Sequence, residues 1–156
     1  MAKEIERKYL VKGEQWRSLA TGVLYCQGYI STAGKETVRV RIIGDRAYLT
    51  IKGPSVNISR LEFEYPIPLE DGRQMLDNLC SHPIIEKLRY KIKHGDLIWE
   101  VDEFLGENKG LIVAEVELEN ETQKIELPEW IDREVTDPKY FNSSLVKYPY
   151  SQWVNK

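Results

Sequence analysis

Cysteine and histidine are scarce, with two of each in 156 residues. Cys26 and Cys80 lack CxxC spacing, which excludes a zinc knuckle or a thioredoxin-type redox pair. Two scattered thiols suit a reducing compartment, so a cytoplasmic location is expected. His82 precedes Pro83 and His94 precedes Gly95, so both read as loop residues outside any ligand cluster. No GxSxG or Ser/His/Asp pattern is present. The stretch Gly34-Lys35-Glu36-Thr37 lacks the GxxxxGK[ST] spacing of a phosphate-binding loop and reads as a hairpin turn. No apolar run approaches the ~20 residues that cross a bilayer. Residues 1–12 alternate charged and apolar types, unlike a signal peptide. No membrane partner is expected. A net charge of −3 gives no overall basic footprint, so no nucleic-acid partner is expected either.

What the chain does have is charge in a particular order, with 30% of residues charged and 42% hydrophobic. The absence of repeats, low-complexity tracts and linkers predicts a single domain over residues 1–156. Alternating segments bounded by turn residues predict strands at Lys3–Val11, Leu24–Ile30, Glu36–Ile43, Ala47–Lys52, Ile58–Ile67, Ile84–Lys93, Leu97–Phe104 and Leu111–Glu119. Helical spacing predicts one helix over Leu69–Cys80, with Glu70 and Asp71 in its first turn. Shorter helices are expected at Glu14–Ala20 and after Pro138. The class is α+β, mainly β, and antiparallel.

Successive strand residues face opposite ways. One face of these segments collects Glu4, Glu6 and Lys8; Arg39 and Arg41; Thr50 and Lys52; Arg60, Glu62 and Glu64; Lys87 and Arg89; Glu100 and Asp102; Glu115 and Glu117. The other face is apolar. A half-buried sheet with one solvated face also gives polar alternation. A solvated face, however, mixes Ser, Thr, Lys and Glu, whereas here like charges repeat two apart on strand after strand. The economical geometry is an eight-stranded closed barrel, polar inside, with its apolar exterior covered by a few helices, by the C-terminal segment or by a second subunit. Burying so many unpaired ions dry would cost several kcal/mol each, so the interior must be wet, ion-paired or filled by a charged ligand. Eight strands enclose room for one small ligand.

Eight acids and seven bases line the proposed channel. Arg forks and Lys ammonium groups suit phosphate oxygens. Carboxylates without His or Cys suit hard cations, Mg²⁺ or Mn²⁺, rather than zinc. A metal-bound triphosphate uses both signs.

The opening EIERKYLV, with Glu4, Glu6 and Lys8 in ExExK order, resembles the signature of the CYTH or triphosphate tunnel metalloenzyme superfamily. The resemblance continues in order through QGYI, VRVR, LTIK, RLEFEY, IEKLRY, WEVDEF, GLIVAEVEL and EVTDPKYFN. It implies an eight-stranded antiparallel tunnel, divalent-metal dependence and a small-molecule triphosphate substrate. It also implies metal ligation by Glu4, Glu6, Glu115 and Glu117, with Glu62 and Glu64 acting directly or through water. Triphosphate contacts are implied from Lys8, Arg39, Arg41, Lys52, Lys87 and Arg89. Asp102 is expected to orient a basic residue or a metal-bound water. Lys8, Lys87 and Tyr29 are the catalytic candidates, Tyr29 as a hydrogen-bond donor to phosphate or to Lys87, with a packing role as its alternative. Hydrolysis of inorganic tripolyphosphate is the expected activity. A class IV type adenylate cyclase, a nucleoside or thiamine triphosphatase, and a non-catalytic polyphosphate-binding module are the alternatives, and a homodimer is one expected assembly.

Overall fold

The computed structural model describes residues 3–154. Eight strands close into an antiparallel ring. They are β1 (Lys3–Val11), β2 (Val23–Ile30), β3 (Thr37–Ile43), β4 (Arg46–Lys52), β5 (Ser59–Ile67), β6 (Ile85–His94), β7 (Leu97–Phe104) and β8 (Ile112–Glu117). The order around the ring is β1-β5-β4-β3-β2-β6-β7-β8 and back to β1. Closure by β1 and β5 uses Lys3, Glu4 and Ile5 against Leu61, Arg60 and Ser59. Every expected strand is present, with ends within two residues of the sequence reading.

A ninth strand, β9 (Ile131–Val135), was not legible as one. It lies outside the ring and pairs with β1 alone, at Lys8, Tyr9 and Val11. One edge of β1 therefore carries β8, while the other is divided between β5 and β9.

Two of the three hydrophobic clusters lie on the outside of the ring, as the strand faces require. Trp16, on a short 3-10 turn at Gln15–Ser18, packs with Trp99, Trp130, Val101 and Val116 against β1, β7 and β8. Helix α1 (Leu69–Asn78) starts after Pro68 with Glu70 and Asp71 placed to meet its positive end. Its Leu76 packs with Val40 and Cys80 over β2, β3 and β4. The helix sits so close to the sheet that a Cβ on Gly72 would fall 2.6 Å from Ala47 Cβ, so only glycine fits there.

The late chain packs instead on the inner strand face that also carries Lys87, Asp102 and Glu115, beside the charged residues. A 3-10 turn at Pro138–Tyr140, helix α2 (Asn142–Lys147) and Trp153 bring Tyr140, Leu145, Val146 and Trp153 onto Ile85, Phe104, Leu111 and Val113. Trp153 stacks edge-on against Tyr140 and Tyr150, so the YPYSQW tail docks on the barrel. Ile51 on β4 and Leu61, Phe63 and Tyr65 on β5 stay exposed on the outer face. No helix among the described residues is long and apolar enough to cross a membrane.

Candidate active site

Inside the ring is a cavity of about 360 Å³. Glu4, Glu6, Lys8, Tyr29, Arg39, Arg41, Lys52, Glu62, Glu64, Lys87, Arg89, Glu115 and Glu117 all line it, so seven strands deliver the expected residues to one chamber. Asp102 does not reach the cavity surface. It lies fully buried beneath Lys87 and Arg89.

Strand order sorts the charges. The acid pairs ride on β5, β1, β8 and β7, which are consecutive around the ring, and the bases ride on β4, β3 and β6, which with β2 complete it. In this arc β2 contributes Tyr25, Gln27 and Tyr29 instead of charge. Lys8 on β1 and Arg60 on β5 are the bases placed within the acidic arc.

Ion pairs cross-link the two sets. Lys52 Nζ lies 2.9 Å from Glu4 and 3.3 Å from Glu62. Lys8 Nζ donates to Glu115 at 2.9 Å and to Glu6 at 3.3 Å. Arg39 donates to Glu64 and to Thr50, whose hydroxyl itself donates to Glu64 at 2.7 Å. Arg89 grips Asp102 with two bonds of 2.7 and 2.8 Å, the geometry in which guanidinium and carboxylate bind most strongly.

These neighbours set the proton affinities. Burial alone would raise Glu4, yet Lys52 and the adjoining Glu6 and Arg60 hold it down at about 2. Burial and the charges of Glu115 and Glu4 push Glu6 the other way, to about 8. Burial, Glu4, Glu62 and Glu100 also raise Glu117. Burial opposes ionisation of Glu115, but Lys8 and Arg89 bring it well below the usual carboxylate range.

Burial lowers Lys87 to about 7, with Arg89 adding to the effect and Asp102 only partly opposing it. The geometry explains the imbalance, because Arg89 already takes two bonds from the carboxylate that Lys87 reaches with one, at 2.8 Å. Lys87 is then deprotonated in the folded protein at pH values where it stays charged in the unfolded chain. Its folded pKa is the lower one, so its contribution to stability rises with pH between about 7 and 10.5. Thermal melts of the wild type and Lys87→Met are expected to diverge across that window. The wild type should gain stability relative to the variant by up to about 1 kcal/mol per pH unit; parallel curves would show an ordinary lysine.

The fit to a hard cation can be tested on the carboxylates themselves. Among the described residues no group of three or more His, Cys, Asp or Glu side chains is set to hold a metal ion. Yet burial, and after it acidic neighbours, raise both Glu6 and Glu117, so carboxylates crowd together beside β1 and β8. Glu4 Oε2 is buried without a hydrogen bond and is held by charge alone, 2.9 Å from Lys52 Nζ and 3.6 Å from Arg60. Oxygen-only donors fit Mg²⁺ or Mn²⁺ and do not suit zinc.

Tyr29 does not meet Lys87. Its hydroxyl accepts from Gln27 Nε2 at 2.7 Å, while Lys87 donates to Asn142 Oδ1 at 3.0 Å. Gln27 and Asn142 were not singled out in the sequence. Gln27 Nε2 also donates to Asn142 at 3.2 Å, and its Oε1 accepts from Arg41 at 2.9 Å, which clips the start of α2 over the basic arc. Phe141, beside Asn142, faces Lys8 and Arg60 at 5.8 and 5.7 Å. Two-residue spacing from Tyr29 would have flagged Gln27 and Tyr25. No periodic signal marks Phe141 or Asn142.

The model of the CYTH domain matches residues 2–145. The chain belongs to the CYTH domain family. This CYTH protein is 54% identical over 154 residues to a protein of Acetivibrio thermocellus described as an inorganic triphosphatase, a match covering 98% of this chain and 99% of that one. A crystal structure of an inorganic triphosphatase superposes with a TM-score of 0.62 at 30% identity, over 91% of this chain and 96% of the other. A Pyrococcus horikoshii protein, 17% identical with a TM-score of 0.57 over 76% of this chain and 80% of its own, shares the fold.

Proposed function

We propose that this CYTH protein is a metal-dependent inorganic triphosphatase that hydrolyses tripolyphosphate to pyrophosphate and orthophosphate, the whole chain working as one domain in the cytoplasm. The observation that carries the reading is the division of one closed ring into facing acidic and basic arcs. A polyanion alone needs only the bases. A polyanion carrying a divalent ion needs both arcs within reach of one another. The near-full-length likeness to a described inorganic triphosphatase supports the same substrate class.

In this reading Arg39, Arg41, Lys52, Lys87, Arg89 and Lys8 hold the phosphate chain. Glu4, Glu6, Glu62, Glu64, Glu115 and Glu117 hold Mg²⁺ or Mn²⁺. A divalent ion, when bound, supplies charge neutralisation on phosphate oxygens and a water of lowered pKa. The protein supplies position and field, which matter most for a loose phosphoryl-transfer transition state. Lys8 and Lys87 both line the cavity, each anchored to a buried carboxylate, Glu115 or Asp102, and so each is fixed in direction. Lys87, with its pKa near 7, is suited to give a proton from Nζ to the departing pyrophosphate oxygen. Tyr29, its hydroxyl oriented by Gln27, donates to a phosphate oxygen.

A substrate panel decides among the activities. Tripolyphosphate with Mg²⁺ or Mn²⁺ should yield pyrophosphate and orthophosphate, and chelation should stop the reaction. Thiamine triphosphate and ATP are run beside it. Cyclic AMP and pyrophosphate from ATP would make the protein a cyclase, and binding without turnover would make it a polyphosphate-binding module.

A further inference from the structure

Three buried cations of the basic arc converge on one aromatic ring. Tyr25, on β2, stands directly opposite Lys87 of β6 and diagonal to Arg41 of β3 and Arg89 of β6. Its ring lies 5.0 Å from the Arg41 guanidinium, 5.1 Å from that of Arg89 and 5.9 Å from Lys87 Nζ. The side chain is buried and lines the cavity.

The charge balance around the ring is uneven. Asp102 is the buried carboxylate that Lys87 and Arg89 share, and Arg89 also reaches Glu100 at 3.3 Å and Glu115 at 3.8 Å. Arg41 has no ion pair among the described residues and is held by Gln27 alone. Arg41, left without a carboxylate, faces the like charges of Lys87 and Arg89 across the same ring. A further carboxylate between them would hold them together, but it would also cancel the positive field that a phosphate chain needs. An aromatic face attracts cations through its quadrupole and carries no net charge.

We infer that Tyr25 is a positioning residue whose ring face gathers Arg41, Lys87 and Arg89 into one preorganised anion cradle while leaving their charge available to the substrate. The inference rests on the proposed triphosphate reading for the identity of that anion. It assigns to an aromatic group, for Arg41, the task that Asp102 performs for Lys87 and Arg89. Its hydroxyl is not needed for that task.

The test separates ring from hydroxyl and shape from charge. Tyr25→Phe should keep the KM for tripolyphosphate within about twofold of wild type. Tyr25→Leu should raise KM on the order of 30-fold, as three contacts worth about a factor of three each would give, with a smaller change in kcat. Phenylalanine bearing one, two, three and five ring fluorines at position 25 keeps the shape of the ring and progressively removes the attraction of its face. KM should climb with fluorination while thermal stability and circular dichroism stay level, which also covers the case of a poorly folded leucine variant. A flat KM across the fluorinated series would overturn the proposal, as would tighter binding in Tyr25→Leu. Arg41→Met serves as the control on the underlying reading. If it leaves KM unchanged, the anion cradle itself is wrong; if it raises KM while the fluorinated series stays flat, only the role of Tyr25 fails.

Discussion

Glu4→Gln should lower metal-dependent turnover of tripolyphosphate by on the order of 10²–10³-fold, the loss typical of removing one electrostatic contact to a transition state. Binding of tripolyphosphate in chelator should nevertheless stay level or tighten. Glu4 is the buried counter-ion of Lys52, at 2.9 Å, with Arg60 at 3.6 Å. Neutralising it removes a proposed cation ligand and simultaneously frees Lys52 and Arg60, the bases it pairs with. Glutamine keeps the shape, so packing beside Ile5 and β5 is undisturbed. Calorimetric titration in chelator and steady-state assays with Mg²⁺ or Mn²⁺ read the two effects separately. Undiminished turnover would remove Glu4 from the metal site, and parallel loss of both would mean that the variant had damaged the cavity as a whole.

Asp102→Asn should cost stability in the apo protein and return much of it when an anion is present. The carboxylate has no exposed surface and bonds Arg89 twice and Lys87 once. Removing one partner of such a buried pair leaves unpaired charge, at a cost of about 3–5 kcal/mol. For a chain of this length the midpoint of thermal unfolding should fall by roughly 10 °C. Tripolyphosphate added in chelator can take the place of the missing negative charge. Its stabilising shift should therefore be larger in the variant than in the wild type. Equal shifts in differential scanning calorimetry would show that Asp102 is not what offsets the charge of the anion-binding bases.

The strand faces were legible because a period of two is unambiguous over seven to ten residues. Glu4/Glu6/Lys8, Arg39/Arg41 and Glu115/Glu117 repeat their signs at that spacing, and each group arrives in the cavity. The order of strands around the ring was not legible. Nothing local to Glu62 or Lys52 says that β5 closes on β1 or that β2 separates β3 from β6. Segregation of the acidic and basic arcs, which decides the chemistry, is a property of that order. The strand β9 was missed because Asp132, Arg133 and Glu134 run consecutively polar between Ile131 and Val135. An outer strand with a single neighbour needs only its two ends buried. Asn142 was invisible for another reason: its role depends on where α2 lands, and that is set by Leu145, Val146 and Trp153 packing on residues distant in sequence such as Ile85 and Phe104.

In most enzymes a change to the reactive pocket also disturbs the packed interior that supports it. Here odd and even positions of the same strands have largely separate duties, since the oily contacts around Trp16 and beneath α1 are made outside the ring and the ionic ones within it. A lysine exchanged for an arginine on the inner side leaves no void among the tryptophans on the outer side. Such a scaffold can explore new ligands by editing alternate letters of its sequence while the letters between them keep it folded.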